Sequence, residues 1–268
     1  MLHFQIDKLR ILLKSSLARC AGTYGLYSLI NGAIPFFMLP ILTRYLTPEA
    51  YGNIATFNII LAIMMPIVGL NLDNAYIRAF FLSDRFSGDV YLGTIVITVA
   101  TNAILILIIF SFFSAFLGKL FVFPRAWLLV IPILAFLKNL ISNILRAWQV
   151  RNMPCQYGIF LNTRTCIEFL LAVYFVVVLR KNWQGRIVAN LFTTILFAVI
   201  GNILVFHNKW IKLKFNYDYF KHAIIFGTPL IPNEISDTLN ASIGKILINH
   251  MVGVKATGVL PLVIRLVA

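Results

Sequence analysis

The sequence predicts an all-α polytopic membrane protein, and this prediction rests on three observations. Hydrophobic residues fill 60% of the 268 positions, charged residues fill 12%, and the mean hydropathy is +0.88. Soluble domains carry about 25% charged residues, so this composition excludes an ordinary soluble fold. Apolar runs of about 20 residues recur along the chain, and that length crosses the hydrocarbon core of a bilayer as an α-helix.

The chain is strongly basic, with a net charge of +14 and a pI near 10.0. In a soluble protein this charge would indicate nucleic-acid binding. In a membrane protein it has a simpler cause, because Lys and Arg accumulate in cytoplasmic loops. We therefore expect membrane lipids as partners, and no nucleic acid.

The first element is a helical hairpin. Pro35 and Pro40 lie inside the first apolar run and predict a kink. After a polar stretch, a second helix restarts: Thr47 can accept from unpaired amides, Pro48 needs no donor at the first helical position, and Glu49 complements the helix dipole. These residues predict two membrane helices joined by a tight turn, the first of them kinked.

The other apolar runs supply the remaining elements in order. We expect six spans before the basic connector, over residues 21–42, 51–72, 91–117, 127–148, 157–179 and 187–206. A polar link over 73–90 joins the second span to the third. The predicted domains are an N-terminal six-helix bundle over 1–206, a basic cytoplasmic connector over 207–223, and an incomplete second bundle over 224–268. That last part holds a seventh span and the start of an eighth at Ala256.

The distribution of basic residues predicts the orientation. Segments on the side of the N-terminus carry more Lys and Arg than those on the opposite side, above all in the first segment and the connector. Because positive loops stay inside, we expect a cytoplasmic N-terminus.

The first hairpin also carries a family resemblance. Residues 35–52, PFFMLPILTRYLTPEAYG, with the later Gly69-Leu70 and the segment AYIR at 75–78, resemble the first hairpin of bacterial O-antigen and polysaccharide flippases. These flippases are a branch of the superfamily that contains the multidrug and toxin extrusion (MATE) transporters. The resemblance covers residues 17–81 and returns at 226–258. It implies a MATE-like six-helix bundle and the start of a second one, and hence a truncated chain.

A short internal repeat agrees with that expectation. Residues 42–54, LTRYLTPEAYGNI, align with residues 248–260, INHMVGVKATGVL. Six predicted spans separate the two copies, so both would point the same way across the membrane. This is the parallel-repeat arrangement of some transporters.

No catalytic constellation is present. The four histidines lie at or outside the span ends without a Cys, Asp or Glu at metal-ligand spacing, and no Gly-rich phosphate loop with its lysine occurs. We therefore expect neither an enzyme nor a resident metal or cofactor.

Ionisable groups at membrane depth are the candidates for function, because they are costly in hydrocarbon unless they face a cavity or pair with each other. Lys138 lies near the middle of the fourth span, and Arg164 and Glu168 share one face of the fifth. The latter two form either a structural ion pair or, with Lys138, part of a transport path. Arg146, near an interface, either snorkels or contributes to that path.

The seventh span holds the candidates for ion coupling. Two prolines three positions apart break this helix, and Glu234 and Asp237 lie on one face beside the break. Coupling ions bind at such broken helices in transporters. In the alternative interpretation, Glu234 neutralises Lys138 or Lys245.

The resemblance implies three further site residues. Asn31 would face the cavity from the first span, while Arg44 and Arg78 would flank the second span and contact lipid or substrate phosphates. In the alternative interpretation, both arginines anchor the chain among the lipid headgroups.

The leading functional hypothesis is a flippase that moves undecaprenyl-pyrophosphate-linked oligosaccharide across the bacterial inner membrane by alternating access, for O-antigen and lipopolysaccharide biosynthesis. The substrate follows from the resemblance alone, while the cationic interior is an independent pointer. Polysaccharide polymerase and ligase enzymes would be its protein partners. The alternatives are a cation-coupled multidrug exporter, which would favour an acidic and aromatic interior, and a truncated product that does not transport.

Overall fold

The computed structural model describes residues 16–82, 86–120 and 123–240. Its elements follow one another as helices joined by short turns: α1 (Ser16–Tyr45), α2 (Pro48–Gly69), α3 (Leu72–Phe81), α4 (Gly88–Leu120), α5 (Arg125–Leu128), α6 (Val130–Val150), α7 (Pro154–Val173), α8 (Asn182–His207) and α9 (Tyr217–Gly227). A π-helical turn, Tyr174–Val178, extends α7. A 3-10 turn, Thr228–Leu230, leads from α9 into an α-helix over 231–240.

Six of these elements are long and apolar enough to cross a membrane. They are α1, α2, α4, the pair α5–α6, α7 with its π-helical turn, and α8, and they confirm the predicted all-α polytopic class. Successive spans alternate in direction. We call the end with the α1–α2 and α7–α8 turns the hairpin end, and the end with α3, residues 208–216 and α9 the connector end.

The first hairpin begins its second helix as predicted. Thr47 precedes α2 and its Oγ1 accepts from the Ala50 amide at 3.3 Å, with Pro48 and Glu49 in the first turn. The first helix, α1, remains a single α-helix through both prolines, so neither of them ends it, and the kink stays a prediction. The rest of its backbone hydrogen bonding is therefore enough to carry the helix past the donors that proline lacks.

The polar link between the second and third spans contains the helix α3, which was not predicted from the sequence. In α3, the buried residues are Leu72, Ala75, Tyr76 and Ala79, at the three- and four-residue spacing of one helical face. This face packs against α6, α4 and α9. The link is therefore part of the connector-end core.

Two asparagines from neighbouring helices donate hydrogen bonds to the C-terminal end of α2. Its last carbonyls have no partners within the helix. Asn102 of α4 donates to the Ile67 and Val68 carbonyls at 2.9 Å each, and Asn139 of α6 donates to the Met65 carbonyl at 3.1 Å. Gly69 makes the second contact possible, because a Cβ there would lie 2.0 Å from Asn139 Oδ1.

The basic connector lies along the first turns of α4. Lys212 forms an ion pair with Asp89 at 2.5 Å, and its amide donates to the Asp89 carbonyl at 3.1 Å. Thr94 Oγ1 donates to the Lys214 carbonyl at 3.2 Å. Gly93 allows this close approach, because a Cβ at this position would lie 1.8 Å from the Lys212 carbonyl oxygen. The connector is thereby held against the bundle.

The predicted break in the seventh span occurs at Thr228–Leu230, where a 3-10 turn containing Pro229 interrupts the α-helix. The helix resumes over 231–240 and carries Glu234 and Asp237. The rest of that span with Lys245, the eighth span and the second copy of the repeat lie outside the described residues. The division into three domains stays a prediction.

Candidate functional site

Four charged side chains from three helices form a cluster within the bundle, here called the interior charge cluster: Lys138 on α6, Arg164 and Glu168 on α7, and Arg186 on α8. Glu168 Oε1 accepts from Arg186 Nη1 at 2.7 Å and from Asn190 Nδ2 at 3.0 Å. The Arg186 and Glu168 side chains are 18% and 12% exposed, so the ion pair is largely withdrawn from the surface.

The predicted local pair between Arg164 and Glu168 is not the one that forms. Glu168 pairs with Arg186, because α8 packs against α7 and presents that guanidinium to the carboxylate. Arg164 and Lys138 lie within electrostatic range of Glu168 and of each other. Neither makes an ion pair with a carboxylate in the described ranges. Three cations thus surround one carboxylate.

Several buried polar atoms on the helices that carry this cluster also have no hydrogen-bond partner among the described residues. They come from the same three helices: Asn143 Oδ1, Asn162 Oδ1, Arg164 Nε and Thr193 Oγ1. Buried polar atoms are normally hydrogen-bonded, since leaving one unpaired costs about 1–3 kcal/mol. The three helices of the cluster therefore carry buried polar atoms whose hydrogen bonds the described residues do not complete.

Asn31 joins α1 to α7. Its Nδ2 donates to Thr165 Oγ1 at 2.6 Å and, more weakly, to the Leu161 carbonyl at 3.4 Å. Gly158 lies one helical turn away on the same interface, against the ring of Tyr27. The Asn31 amide therefore contributes to helix packing next to Arg164, and in this structure its hydrogen bonds are made to α7.

A second polar network lies toward the connector end. Asp73 Oδ2 accepts from Arg146 Nε at 3.1 Å and from Ser142 Oγ at 2.9 Å. Arg146 also donates to Asn74 Oδ1 at 3.3 Å and to Gln149 Oε1 at 3.1 Å. Arg146 is thus held by α3 and by its own helix.

Glu234 approaches this second network from the 231–240 helix. It lies within electrostatic range of Asp73, Arg146 and Asp237. The groups found within range of Lys138 are Arg164, Glu168 and Arg186, so Glu234 is not the neutralising partner of Lys138. Asp237 is exposed, and its Oδ2 accepts from Asn233 Nδ2 at 3.4 Å.

Arg44 and Arg78 lie at opposite ends of α2, as predicted. The Arg78 guanidinium lies 4.8 Å from the ring centroid of Phe226 on α9. Nearby, Arg151 donates to the hydroxyl of Tyr76 at 2.9 Å and lies 4.6 Å from the Trp210 ring. Burial raises the pKa of Tyr76, with Arg151 acting in the opposite direction, so this phenol remains neutral. These arginines tie the connector and α9 to the bundle.

Arg44 lines a pocket of about 390 Å³ at the hairpin end. The pocket is also lined by Val176, Arg180 and Asn182, which lie between the end of α7 and the start of α8, and by Thr47 at the start of α2. The pocket therefore brings together Arg44 and Arg180, which are far apart in the sequence.

Sequence reasoning missed two members of these networks. Arg186 was expected in an outer loop, but α8 begins at Asn182 and carries it one turn into the bundle. Asp73 was expected in the polar link, but α3 turns it toward Arg146. In each case the available signal was a charge within one turn of an apolar run. Among residues 16–82, 86–120 and 123–240, no group of three or more His, Cys, Asp or Glu side chains is arranged to hold a metal ion.

Comparison with known proteins gives the family. The profile of the family described as "Polysaccharide biosynthesis protein" matches residues 41–267. "Lsg locus putative protein 1" of Haemophilus influenzae (strain ATCC 51907 / DSM 11121 / KW20 / Rd) is 24% identical over 245 residues, which cover 85% of this chain and 55% of that protein. The chain therefore spans about half the length of this relative. No solved structure matches. In agreement with the resemblance of its first hairpin, the chain belongs to the polysaccharide biosynthesis protein family.

Proposed function

We propose that the protein is a transporter of lipid-linked oligosaccharide, and that the interior charge cluster binds the diphosphate group of this substrate as it passes. The substrate would be undecaprenyl-pyrophosphate-linked O-antigen oligosaccharide, moved across the bacterial inner membrane by alternating access. The proposal concerns the whole protein, since this chain spans about 55% of its relative. It assigns the protein no enzymatic step.

The observation that carries this proposal is the excess of cations inside the bundle. A purely structural ion pair would be balanced, as Arg186 and Glu168 are by themselves. Arg164 and Lys138 add positive charge that the single carboxylate does not neutralise. Charges at membrane depth are costly and mark substrate paths, and guanidinium groups suit phosphate because they can donate two parallel hydrogen bonds.

The family and the unpaired polar atoms support the same conclusion. The chain belongs to a family of polysaccharide biosynthesis, and the hydroxyl groups of a sugar can donate and accept many hydrogen bonds. Asn143, Asn162 and Thr193 offer buried polar atoms that have no partner within the described part of the chain. An acidic organic-cation site, as in a drug exporter, would require the opposite charge balance.

Glu234 is the proposed coupling residue. It lies within electrostatic range of both Asp73 and Arg146, on the helix that follows the 3-10 turn. Binding of a proton or a small cation at Glu234 would change the charge balance of the Asp73–Arg146 pair, and so the contact between that helix and the bundle. Asp237, exposed and one turn further, would contribute to the approach of the ion.

The test is export of surface polysaccharide in a strain from which the gene has been deleted. The double variant Lys138→Gln/Arg164→Gln, expressed from a plasmid, is expected to reduce export at least tenfold, while Lys138→Arg/Arg164→Lys keeps the charge and most of the export. Membrane levels of each variant would be measured by immunoblot. Wild-type export by the neutral double variant, at equal protein level, would rule out a role of these cations.

The matched control is Lys214→Gln/Lys221→Gln, which removes the same charge from exposed positions at the connector end. It is expected to export normally. Resistance to cationic drugs would be measured in the same strains. Drug resistance that depends on the protein, without polysaccharide export, would favour the exporter instead.

A further inference from the structure

We propose that the hairpin-end pocket is a binding site for a phosphate group carried by a lipid, separate from the interior charge cluster. The pocket has a volume of about 390 Å³, within the range of small-molecule sites in proteins. It is lined by Arg44 from the end of α1 and Arg180 from the turn that precedes α8. This proposal stands without the proposed function, because it concerns binding and not transport.

The two arginines supply the charge that a phosphate requires. Neither forms an ion pair with a carboxylate in the part of the chain that the structure describes, where the acidic partners belong to Arg146, Arg186 and Lys212. Both side chains are exposed, so their guanidinium groups are accessible. Two guanidinium groups that line one pocket can each donate a pair of hydrogen bonds to a phosphate oxyanion.

The backbone around the pocket adds further positive potential. The wall contains Thr47 and Asn182, which lie at the N-termini of α2 and α8, and both helices are longer than 20 residues. The N-terminus of a helix carries partial positive charge. Thr47 Oγ1 and Asn182 Oδ1 accept from the Ala50 and Trp183 amides, so the Asn182 side-chain NH2 is left to donate to a ligand.

The apolar part of the wall indicates that the phosphate belongs to a lipid. Val176 and Val177, from the π-helical turn, line the pocket beside the arginines, and Tyr45 contributes an exposed ring. π-Helical turns are rare and are found frequently at functional sites. Val176 is only 3% exposed, so the available apolar surface is that of Val177 and Tyr45. A free inorganic anion would gain nothing from these two side chains, whereas the hydrocarbon next to a lipid phosphate would bury against them.

Binding of phosphorylated lipids to the purified full chain tests the proposal. Farnesyl diphosphate, phosphatidylglycerol, farnesol and inorganic pyrophosphate would be titrated separately, with affinity measured by microscale thermophoresis in detergent. The wild type is expected to bind the two phosphorylated lipids at least tenfold more tightly than farnesol and more tightly than inorganic pyrophosphate. Stronger binding of farnesyl diphosphate would identify a substrate-type diphosphate as the source, and equal binding of phosphatidylglycerol a phospholipid headgroup.

Variants then locate the site. Arg44→Gln/Arg180→Gln is expected to weaken binding of the phosphorylated lipids at least tenfold, Arg44→Lys/Arg180→Lys to restore most of it, and Lys214→Gln/Lys221→Gln to change it less than twofold. Thermal unfolding would be measured for each variant, and the lysine pair keeps the test valid if the glutamine pair unfolds. Unchanged binding in the glutamine pair, or equal binding of farnesol, would overturn the proposal. Wild-type export by the Lys138→Gln/Arg164→Gln variant, with lipid binding at the hairpin-end pocket retained, would count against the proposed function alone.

Discussion

Among the residues that the structure describes, Glu168 is the single carboxylate that offsets the cations of the interior charge cluster. Its Oε1 atom accepts from Arg186 and Asn190 at 2.7 and 3.0 Å. Removing one partner of a buried ion pair leaves a charge without compensation and typically costs about 3–5 kcal/mol. We therefore expect Glu168→Gln to lower the free energy of unfolding by about 3 kcal/mol, measured by thermal or denaturant unfolding in detergent.

The same pair can be tested by a double-mutant cycle. Glu168→Gln/Arg186→Gln is expected to be more stable than the sum of the single variants predicts, because no isolated charge remains, with a coupling energy of roughly 1–3 kcal/mol. Asp73→Asn, which breaks the more exposed ion pair with Arg146, is the control for Glu168→Gln. Arg146 is 33% exposed and keeps its contacts with Asn74 and Gln149, so its charge is not left isolated. Additive effects at positions 168 and 186 would contradict the pairing.

At the scale of residues, the sequence identified members of the interior charge cluster, but not which side chains they contact. Lys138, Arg164 and Glu168 could be singled out because each charge stands inside a local apolar run. Their partners depend on which face each helix presents to its neighbours. Arg186 and Asp73 belong to other helices, so their contacts are long-range and no local pattern contains them. For the same reason, the i, i+4 spacing of Arg164 and Glu168 suggested a pair that Arg186 displaces.

At the scale of elements, the contact of α1 with α7 depends on a glycine. A Cβ at Gly158 would lie 2.0 Å from a ring carbon of Tyr27, so Gly158→Ala must displace the ring or the helix. We expect a loss of about 1–3 kcal/mol in the free energy of unfolding, as for other overpacked sites. Tyr27→Ala in the same chain should recover part of this loss.

The control for that prediction is Gly52→Ala. Gly52 also lies within a transmembrane helix, but nothing is found within 4 Å of a Cβ built there. Alanine is favoured over glycine in helices, so this variant is expected to be neutral or slightly stabilising. Equal destabilisation by the two substitutions would show that the Tyr27 contact does not matter.

The docking of α9 should depend on pH through His222. Burial, with a smaller contribution from Arg78, lowers the pKa of His222 below its ordinary value of 6.5. The folded state therefore favours the neutral ring, which lies 2.9 Å from the hydroxyl of Tyr91. This contribution to stability is present above pH 6.5 and is lost as the pH falls through the lowered pKa.

Trypsin cleavage of the connector, followed between pH 8 and pH 5, would measure this effect, after correction for the pH dependence of the protease on a model peptide. Cleavage after Lys212 and Lys214 is expected to become faster below pH 6.5 in the wild type. His222→Gln should show a flat profile. A wild-type profile that is equally flat would exclude His222 as the titrating group.

The elements themselves were largely predictable, for a physical reason. A helix in hydrocarbon must satisfy its backbone internally, so a long apolar run specifies a span without reference to the rest of the chain. Six spans followed from this rule. It does not reveal α3, because this helix has only four residues on its buried face and depends on the α4, α6 and α9 surfaces around it. Nor does it show that α1 passes both its prolines unbroken.

At the scale of the whole molecule, orientation is the open prediction. The charge distribution predicts that the connector end is cytoplasmic and the hairpin end lies outside. In a chain whose three cysteines are replaced by serine, Lys214→Cys should react with a membrane-impermeant maleimide only after the cells are opened. Lys181→Cys, in the α7–α8 turn, should react in intact cells. The reverse pattern would place the hairpin-end pocket in the cytoplasm.

The contact that holds the start of the last described helix has a consequence for how that helix can move. Gly227, at the end of α9, touches the turn after α2 so closely that a Cβ there would lie 2.4 Å from the Leu70 carbonyl oxygen. From Gly227 to residue 240, the last described position, the chain is helical and extends about 21 Å. A rotation of about 10° at Gly227 would move residue 240 by roughly 4 Å and Glu234, which lies about half as far from the pivot, by roughly 2 Å. A change of charge at Glu234 that caused such a rotation would therefore move residue 240 about twice as far as Glu234 itself.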